Sequence, residues 1–163
     1  MATSGKAAEF FVAAELSKRQ WNVVHLGGNF RDADMCIEHK ISGHVLWIQV
    51  KSAKPNWNFI LHEPGVSRWV AADKWYVFVS LDEQRSPESS PEHYFCVPSS
   101  DVQSHASTSH AKYMHNAGRD GKKRKVSNMR KFHIKPADQG RVRAFPGKSL
   151  KKADKNFDFS LLS

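Results

Sequence analysis

Gln49, Val50 and Lys51 close a strand-like run, VLWIQVKSAK from Val45 to Lys54, and Asp34 heads the shorter apolar run before it. Side chains alternate across a β-strand, so Leu46, Ile48 and Val50 point one way and Trp47, Gln49 and Lys51 the other. One face is apolar; the other ends in an amide and an ammonium. An ionised lysine is rarely buried without a partner, so this pair calls for anionic company. Asp34 can supply a carboxylate, Gln49 an amide oxygen and Val50 a backbone carbonyl, the hard donors that Mg²⁺ or Mn²⁺ prefers. Lys51 lies about 7 Å along the strand from Gln49, on the same face. There it could hold an attacking hydroxide or meet the negative charge that grows in a transition state. Together these groups could cut a phosphodiester with the help of a cation. The plainer reading is a cross-strand ion pair between Asp34 and Lys51, worth little if exposed.

Three elements must position these groups. Residues 4–20 read as a helix with an apolar stripe of Ala8, Phe11, Val12 and Leu16, an N-cap at Thr3 or Ser4, and Lys18 and Arg19 at the C-terminal end. Glu9 borders that stripe and reads, from pattern alone, as a solvated flank. WNVVHL (21–26) is a strand followed by a GGN turn. ADMCIEHK (33–40) turns Met35 and Ile37 one way and Asp34, Cys36 and Glu38 the other. The ISG bend then makes a hairpin with HVLWIQVKSA. Beyond Pro55, WNFILH reads as a short strand, VSRWVAAD as a short helix, KWYVFVSL (74–81) as a central strand and, after the polar loop DEQRSPESSPE, HYFCVP as a last strand. From about residue 101 the pattern weakens. SHASTSH reads as loop, GRDGKKRKVSNMRKFHIKP as a basic stretch bracketed by Gly and Pro, and FDFSLLS as a tail folding back on the body.

A chain of 163 residues with 40% apolar and 25% charged residues fits one soluble globular domain, 1–163, with a basic, less regular extension from about 101. Its apolar runs fall short of a membrane span, and MATSGKAAEF lacks the basic-then-apolar layout of a secretory leader, so no membrane partner and a cytoplasmic location are expected. Cys36 and Cys96 sit in strand-like segments and read as plain buried thiols. His105, His110 and His115 recur every five residues, which does not align ligands on one helix face for zinc. Trp57, Trp69 and Trp75 are expected in the core or at a dimer contact rather than as base-stacking platforms.

The charge is polarised. Residues 1–100 hold 10 Lys and Arg against 11 Asp and Glu, whereas residues 101–163 hold 15 against 5, so the net +9 resides in the last third. A basic end of this kind suits a polyanion, with nucleic acid the first candidate and an acidic membrane surface the second. Lys54, Lys122, Lys123, Arg124, Lys125, Arg130 and Lys131 are the candidate phosphate contacts, which would hold a backbone without reading bases. A solvated basic loop is the plainer reading.

A helix opening with Gly5, Lys6, Ala7, Ala8 and Glu9, then Asp34 in the middle strand of a meander, then Gln49, Val50 and Lys51, resembles the PD-(D/E)XK nuclease superfamily. The resemblance is strongest to the branch of archaeal Holliday junction resolvases and group I intron homing endonucleases. It covers roughly residues 5–54, and more loosely the strands up to Pro98. It implies an α/β fold with a restriction-endonuclease-like core: a mixed sheet in which an N-terminal helix is followed by a three-stranded antiparallel meander and at least one further strand. It also implies a Mg²⁺- or Mn²⁺-dependent DNA endonuclease, working as a homodimer or higher homo-oligomer. Through the Gly-x-x-x-Glu match it places Glu9 with Asp34, Gln49 and Val50 at the metal, with Lys51 supporting catalysis. Gln49 stands where the family usually has Asp or Glu, so the site has one negative charge fewer; a Gln recurs there in the intron-endonuclease-like branch. The family's proline is absent and Asp32 precedes Asp34, but only Asp34 is followed directly by the apolar run Met35, Cys36, Ile37. Two other functions compete: a non-catalytic nucleic-acid-binding protein on the same fold, and a protein-interaction or defence accessory module. DNA affinity that falls steeply with salt argues against the last.

Overall fold

The computed structural model describes residues 3–27, 32–53, 58–80, 93–118, 121–133, 135–137 and 141–143. The chain begins with α1 (Thr3–Lys18), then β1 (Trp21–His25), β2 (Met35–His39) and β3 (Val45–Ala53). Gly43 closes the β2–β3 turn at φ 71°, where a side chain would crowd the backbone. β4 (Asn58–His62), α2 (Gly65–Arg68), β5 (Lys74–Ser80), β6 (His93–Pro98), α3 (Ser99–His115), β7 (Met129–His133), β8 (Lys135–Ala137) and β9 (Arg141–Arg143) follow.

The main sheet has the order β1-β2-β3-β5-β6. β1, β2 and β3 form an antiparallel meander, β5 runs parallel to β3, and β6 is antiparallel to β5. The fold is therefore α/β with a mixed sheet, an N-terminal helix, a meander and further strands. The parallel β3–β5 step needs a crossover, which β4 and α2 supply.

Strand alternation gives the sheet two apolar faces. Under α1, Ala8, Val12 and Leu16 pack on Met35, Ile37, Leu46, Ile48, Val50, Val77 and Val79. On the other face Tyr76, Phe78, Phe95 and Val97 meet Val66 of α2, Val102 and Ala106 of α3, and Phe59, Leu61 and Phe132 of the β4–β7 ribbon. The result is three layers with the sheet in the middle. Among the described residues no helix is long and apolar enough to cross a membrane.

Past residue 98 the structure corrects two expectations. SHASTSH is helical: it belongs to α3, which starts directly after Pro98 and buries Ser99, Val102 and Ala106. That stripe is narrow, and it suffices because it lands on the aromatic face of the sheet. The basic stretch also contains a strand, β7, paired antiparallel with β4, so Asn58–His62 of the expected short strand joins this two-stranded ribbon and not the main sheet. β8 and β9 form a separate pair. Trp69 and Trp75 are buried, as expected of core residues, and Trp57, the loop DEQRSPESSPE and the tail FDFSLLS lie outside the described residues. Cys36 and Cys96 are half-buried rather than buried. Burial, then the neighbouring Glu38, pushes the Cys36 thiol above its ordinary range.

Phe132 pins the ribbon. Its ring is fully buried and lies nearly parallel to Phe78, at 4.5 Å between centroids and 8° between planes. The column continues from Phe78 to Tyr76 at 5.7 Å. Phe132→Ala should cost about 3–5 kcal/mol, the usual range for a truncated core aromatic, read as a lower urea midpoint.

Candidate functional site

β2 stops at Met35, whose partner is Ile48, while β3 runs on to Ala53. Beyond Ile48 no strand among the described residues pairs with the edge of β3 that faced β2, and Gln49, Val50 and Lys51 follow along it. Asp34 enters this gap through a backbone irregularity. Its N–H donates to the Ile48 carbonyl at 2.9 Å, although Ile48 already stands opposite Met35. Two consecutive residues thus face one, the geometry of a β-bulge, a device that re-aims side chains. Asp34 Oδ2 accepts the Val50 N–H at 2.7 Å. The N–H and C=O of a strand residue share an edge, so the Val50 carbonyl opens toward the same gap.

Two of the expected residues share one side of the sheet. Gln49 and Lys51 are half-buried and lie opposite Tyr76 and Phe78 of β5, which belong to the aromatic face. Leu26, whose N–H donates to the Asp34 carbonyl at 3.0 Å, packs against that face as well. Asp34 stands between Ala33, which packs into the aromatic face, and Met35, which packs under α1, and its carboxylate reaches the β3 edge at the Val50 N–H. Glu9 arrives from α1 over the opposite face. It is 9% exposed, and its charge acts on both Asp34 and Lys51. The helical pattern left Glu9 at the border of the stripe; the structure buries it.

The electrostatics of the cluster are unfavourable to its own charges. Burial pushes the Asp34 carboxyl above the ordinary aspartate range; the Val50 N–H pulls it back, the like charge of Glu9 pushes it up, and Lys51 and Lys6 pull it down. Burial lowers the Lys51 ammonium, against the pull of Asp34 and then Glu9. Desolvation moves a carboxyl up and an ammonium down, so the two shifts record that both groups are held partly out of water in the same region.

Lys6 is the member to which sequence reasoning gave no role. Its Nζ lies 2.6 Å from Glu9 Oε2, and its side chain is 59% exposed, so this cation partners Glu9 from the solvent side. The hydrogen bond to Glu9 raises its own titration. The i, i+3 spacing on a helix was the available signal.

The donor set suits a hard cation. Asp34 and Glu9 offer carboxylates, and Gln49 and Val50 offer neutral oxygens, with water to complete the shell. Among the described residues no three His, Cys, Asp or Glu side chains gather closely enough to hold an ion, so a set drawn from them here would include the two neutral donors. His105 is turned to the Phe132 ring, 5.0 Å between centroids.

The basic candidates divide. Lys122, Lys123, Lys125 and Lys131 are exposed. Arg124 is turned back on its own chain: its guanidinium lies 4.0 Å from the Tyr113 ring centroid and donates to the carbonyls of Asn116 at 3.0 Å and Ala117 at 3.3 Å. Arg130 donates to the Ser127 carbonyl at 2.7 Å, with its Nε 3.9 Å from Glu63. Lys54 lies outside the described residues. Apart from Lys54, the basic candidates belong to the α3–β7 connection and β7, elements separate from the Asp34–Lys51 gap.

No protein-family model matches the chain, and no curated protein matches it. Among solved structures, the bacterial homing endonuclease I-Ssp6803I is similar over 59% of this chain and 63% of that one, at 19% sequence identity and a TM-score of 0.40. The chain thus spans less than two thirds of that protein.

Proposed function

We propose that this chain is a divalent-metal-dependent DNA endonuclease of the PD-(D/E)XK type, one domain over residues 1–163, with its catalytic centre in the Asp34–Lys51 gap. The observation that carries this reading is the bulge that holds the Asp34 carboxylate on the Val50 amide, beside a half-buried Lys51 and within the field of the buried Glu9. Asp34, Gln49, Glu9 and the Val50 carbonyl would hold Mg²⁺ or Mn²⁺. When bound, such an ion neutralises the phosphate and makes water a better nucleophile. Lys51 orients the attacking oxygen and faces the phosphoryl oxygens, where charge grows in the pentavalent transition state. Exposed Lys122, Lys123, Lys125 and Lys131 would hold the phosphate backbone, with Lys54 as a further contact. Cutting both strands needs two such centres, which favours a homodimer or higher homo-oligomer acting in the cytoplasm. The test is conversion of supercoiled plasmid to nicked circle with Mg²⁺ or Mn²⁺, abolished by EDTA; failure to nick with either ion overturns the assignment.

A second reading, a nucleic-acid-binding protein without cleavage, is favoured by the neutral Gln49 and by Lys6 already paired to Glu9. It requires no heat of metal binding and no nicking, with DNA affinity that still falls steeply with salt. An interaction module requires negligible DNA affinity at moderate salt. Gln49→Glu separates the first two from another side. It adds a carboxylate to the donor set, and about tenfold tighter Mn²⁺ binding by calorimetry is expected, equal to about 1.4 kcal/mol.

A further inference from the structure

A cleft of about 300 Å³ lies between the end of α3 and the start of β7, lined by none of the residues of the proposed catalytic centre. Its wall carries Tyr113 and His110 of α3, and Met129, Arg130 and Lys131 of β7. The aromatic side is pre-set. Arg124 lies over the Tyr113 ring at 4.0 Å and is itself fixed by its two carbonyl bonds. His110 lies 6.4 Å away, 25° from parallel, and Tyr113 remains 47% exposed. Opposite, Met129 is 42% exposed and Lys131 stands free of the core on β7. A half-exposed tyrosine ring, a thioether and a lysine lining one cleft suit one chemical class: a nucleotide whose base has left its stack, with its phosphate still attached. A paired base inside a duplex cannot present its face to Tyr113.

We infer that this cleft takes one unstacked nucleotide of single-stranded DNA, the base against Tyr113 and Met129 and the phosphate on Lys131. This rests on the chain's binding nucleic acid but not on its cutting it. Among the exposed cations Lys131 then has a specific duty, whereas Lys122, Lys123 and Lys125 add general attraction. Arg124 acts as a positioning residue that fixes the tyrosine.

The test is equilibrium binding by the full chain of a fluorescein-labelled oligothymidylate of about ten nucleotides and of a matched duplex, both in EDTA so that no cleavage intervenes. Tyr113→Ala is expected to weaken the single strand about tenfold and the duplex less than twofold, while Tyr113→Phe binds like the parent. Lys131→Gln should reduce the salt dependence of single-strand binding by about one phosphate contact. Equal losses for single strand and duplex, an unchanged single-strand affinity in Tyr113→Ala, or failure of the parent protein to bind the oligothymidylate would each overturn the proposal. Plasmid nicking that persists under any of these outcomes would leave the catalytic reading standing, and lost nicking with intact single-strand binding would do the reverse.

Discussion

Lys51→Met is expected to lower plasmid nicking by about 10²- to 10³-fold, the cost of removing one preorganised donor from a transition-state oxyanion, while leaving the protein folded and able to bind metal. Methionine keeps the length and apolar body of the lysine stem, so the packing beside Phe78 survives and only the ammonium is lost. The metal should bind as tightly or more tightly, because a neighbouring positive charge has gone. A second signature follows from the Asp34 carboxyl, which Lys51 helps to pull down against burial. Without the ammonium that carboxyl rises further, so the acid limb of residual activity should move to higher pH. Stability supplies a third. The Lys51 ammonium titrates below 10.5 in the folded protein, so in the window beneath 10.5 the unfolded chain holds more protons. The residue's contribution to stability therefore grows as pH rises through that window and is withheld below it. Lys51→Met should flatten this slope in urea titrations. A variant that nicks at the parental rate would remove Lys51 from the chemistry and leave it a half-buried cation on a strand.

The polar face of β3 was legible in the sequence because a β-strand has a period of two. Once VLWIQVKSA is a strand, Gln49 and Lys51 must share a side, and the structure places them so. The meander was legible for the same reason, and α1 through its stripe of Ala8, Val12 and Leu16. What fixes Asp34 was not legible. A bulge is a shift of one residue between two chains, and nothing in the order Ala33, Asp34, Met35 records which partner carbonyl its N–H will find. Helix α3 was hidden for a different reason. Its Ser, Thr and His residues are indifferent helix formers, and Val102 and Ala106 make a stripe too thin to stand out. The helix exists because those two residues meet an aromatic surface assembled from β4, β5, β6 and β7, and no local pattern contains that surface. β7 was masked by its charge: of Met129, Arg130, Lys131 and Phe132, only Phe132 is buried, so one aromatic ring decides the strand.

Asp34→Asn separates function from folding most sharply, because the two should move in opposite directions. The asparagine Oδ1 can accept the Val50 N–H as the carboxylate does, so the bulge and its amide anchor remain. What goes is a negative charge that burial and Glu9 both disfavour. In the folded protein the carboxyl titrates above 3.8, so the native state holds more protons than the unfolded chain just above that value. The stability tied to this group is present at low pH and is lost as pH climbs through the raised folded value, so near neutrality the ionised Asp34 is a cost. In EDTA near neutral pH, Asp34→Asn should melt as high as the parent or up to about 3 °C higher. Its melting temperature should also gain less than the parent's on acidification. Mg²⁺ or Mn²⁺ should raise the parent's melting temperature by mass action and leave the variant unmoved, and nicking should fall by at least about 10³-fold. Asp34→Ala is the control. It strands the buried Val50 N–H without an acceptor, costs about 1–3 kcal/mol, and should lose stability together with activity. If Asp34→Asn instead melts well below the parent in EDTA, the carboxylate is serving the bulge and not a cation; if it nicks like the parent, the ion is held elsewhere.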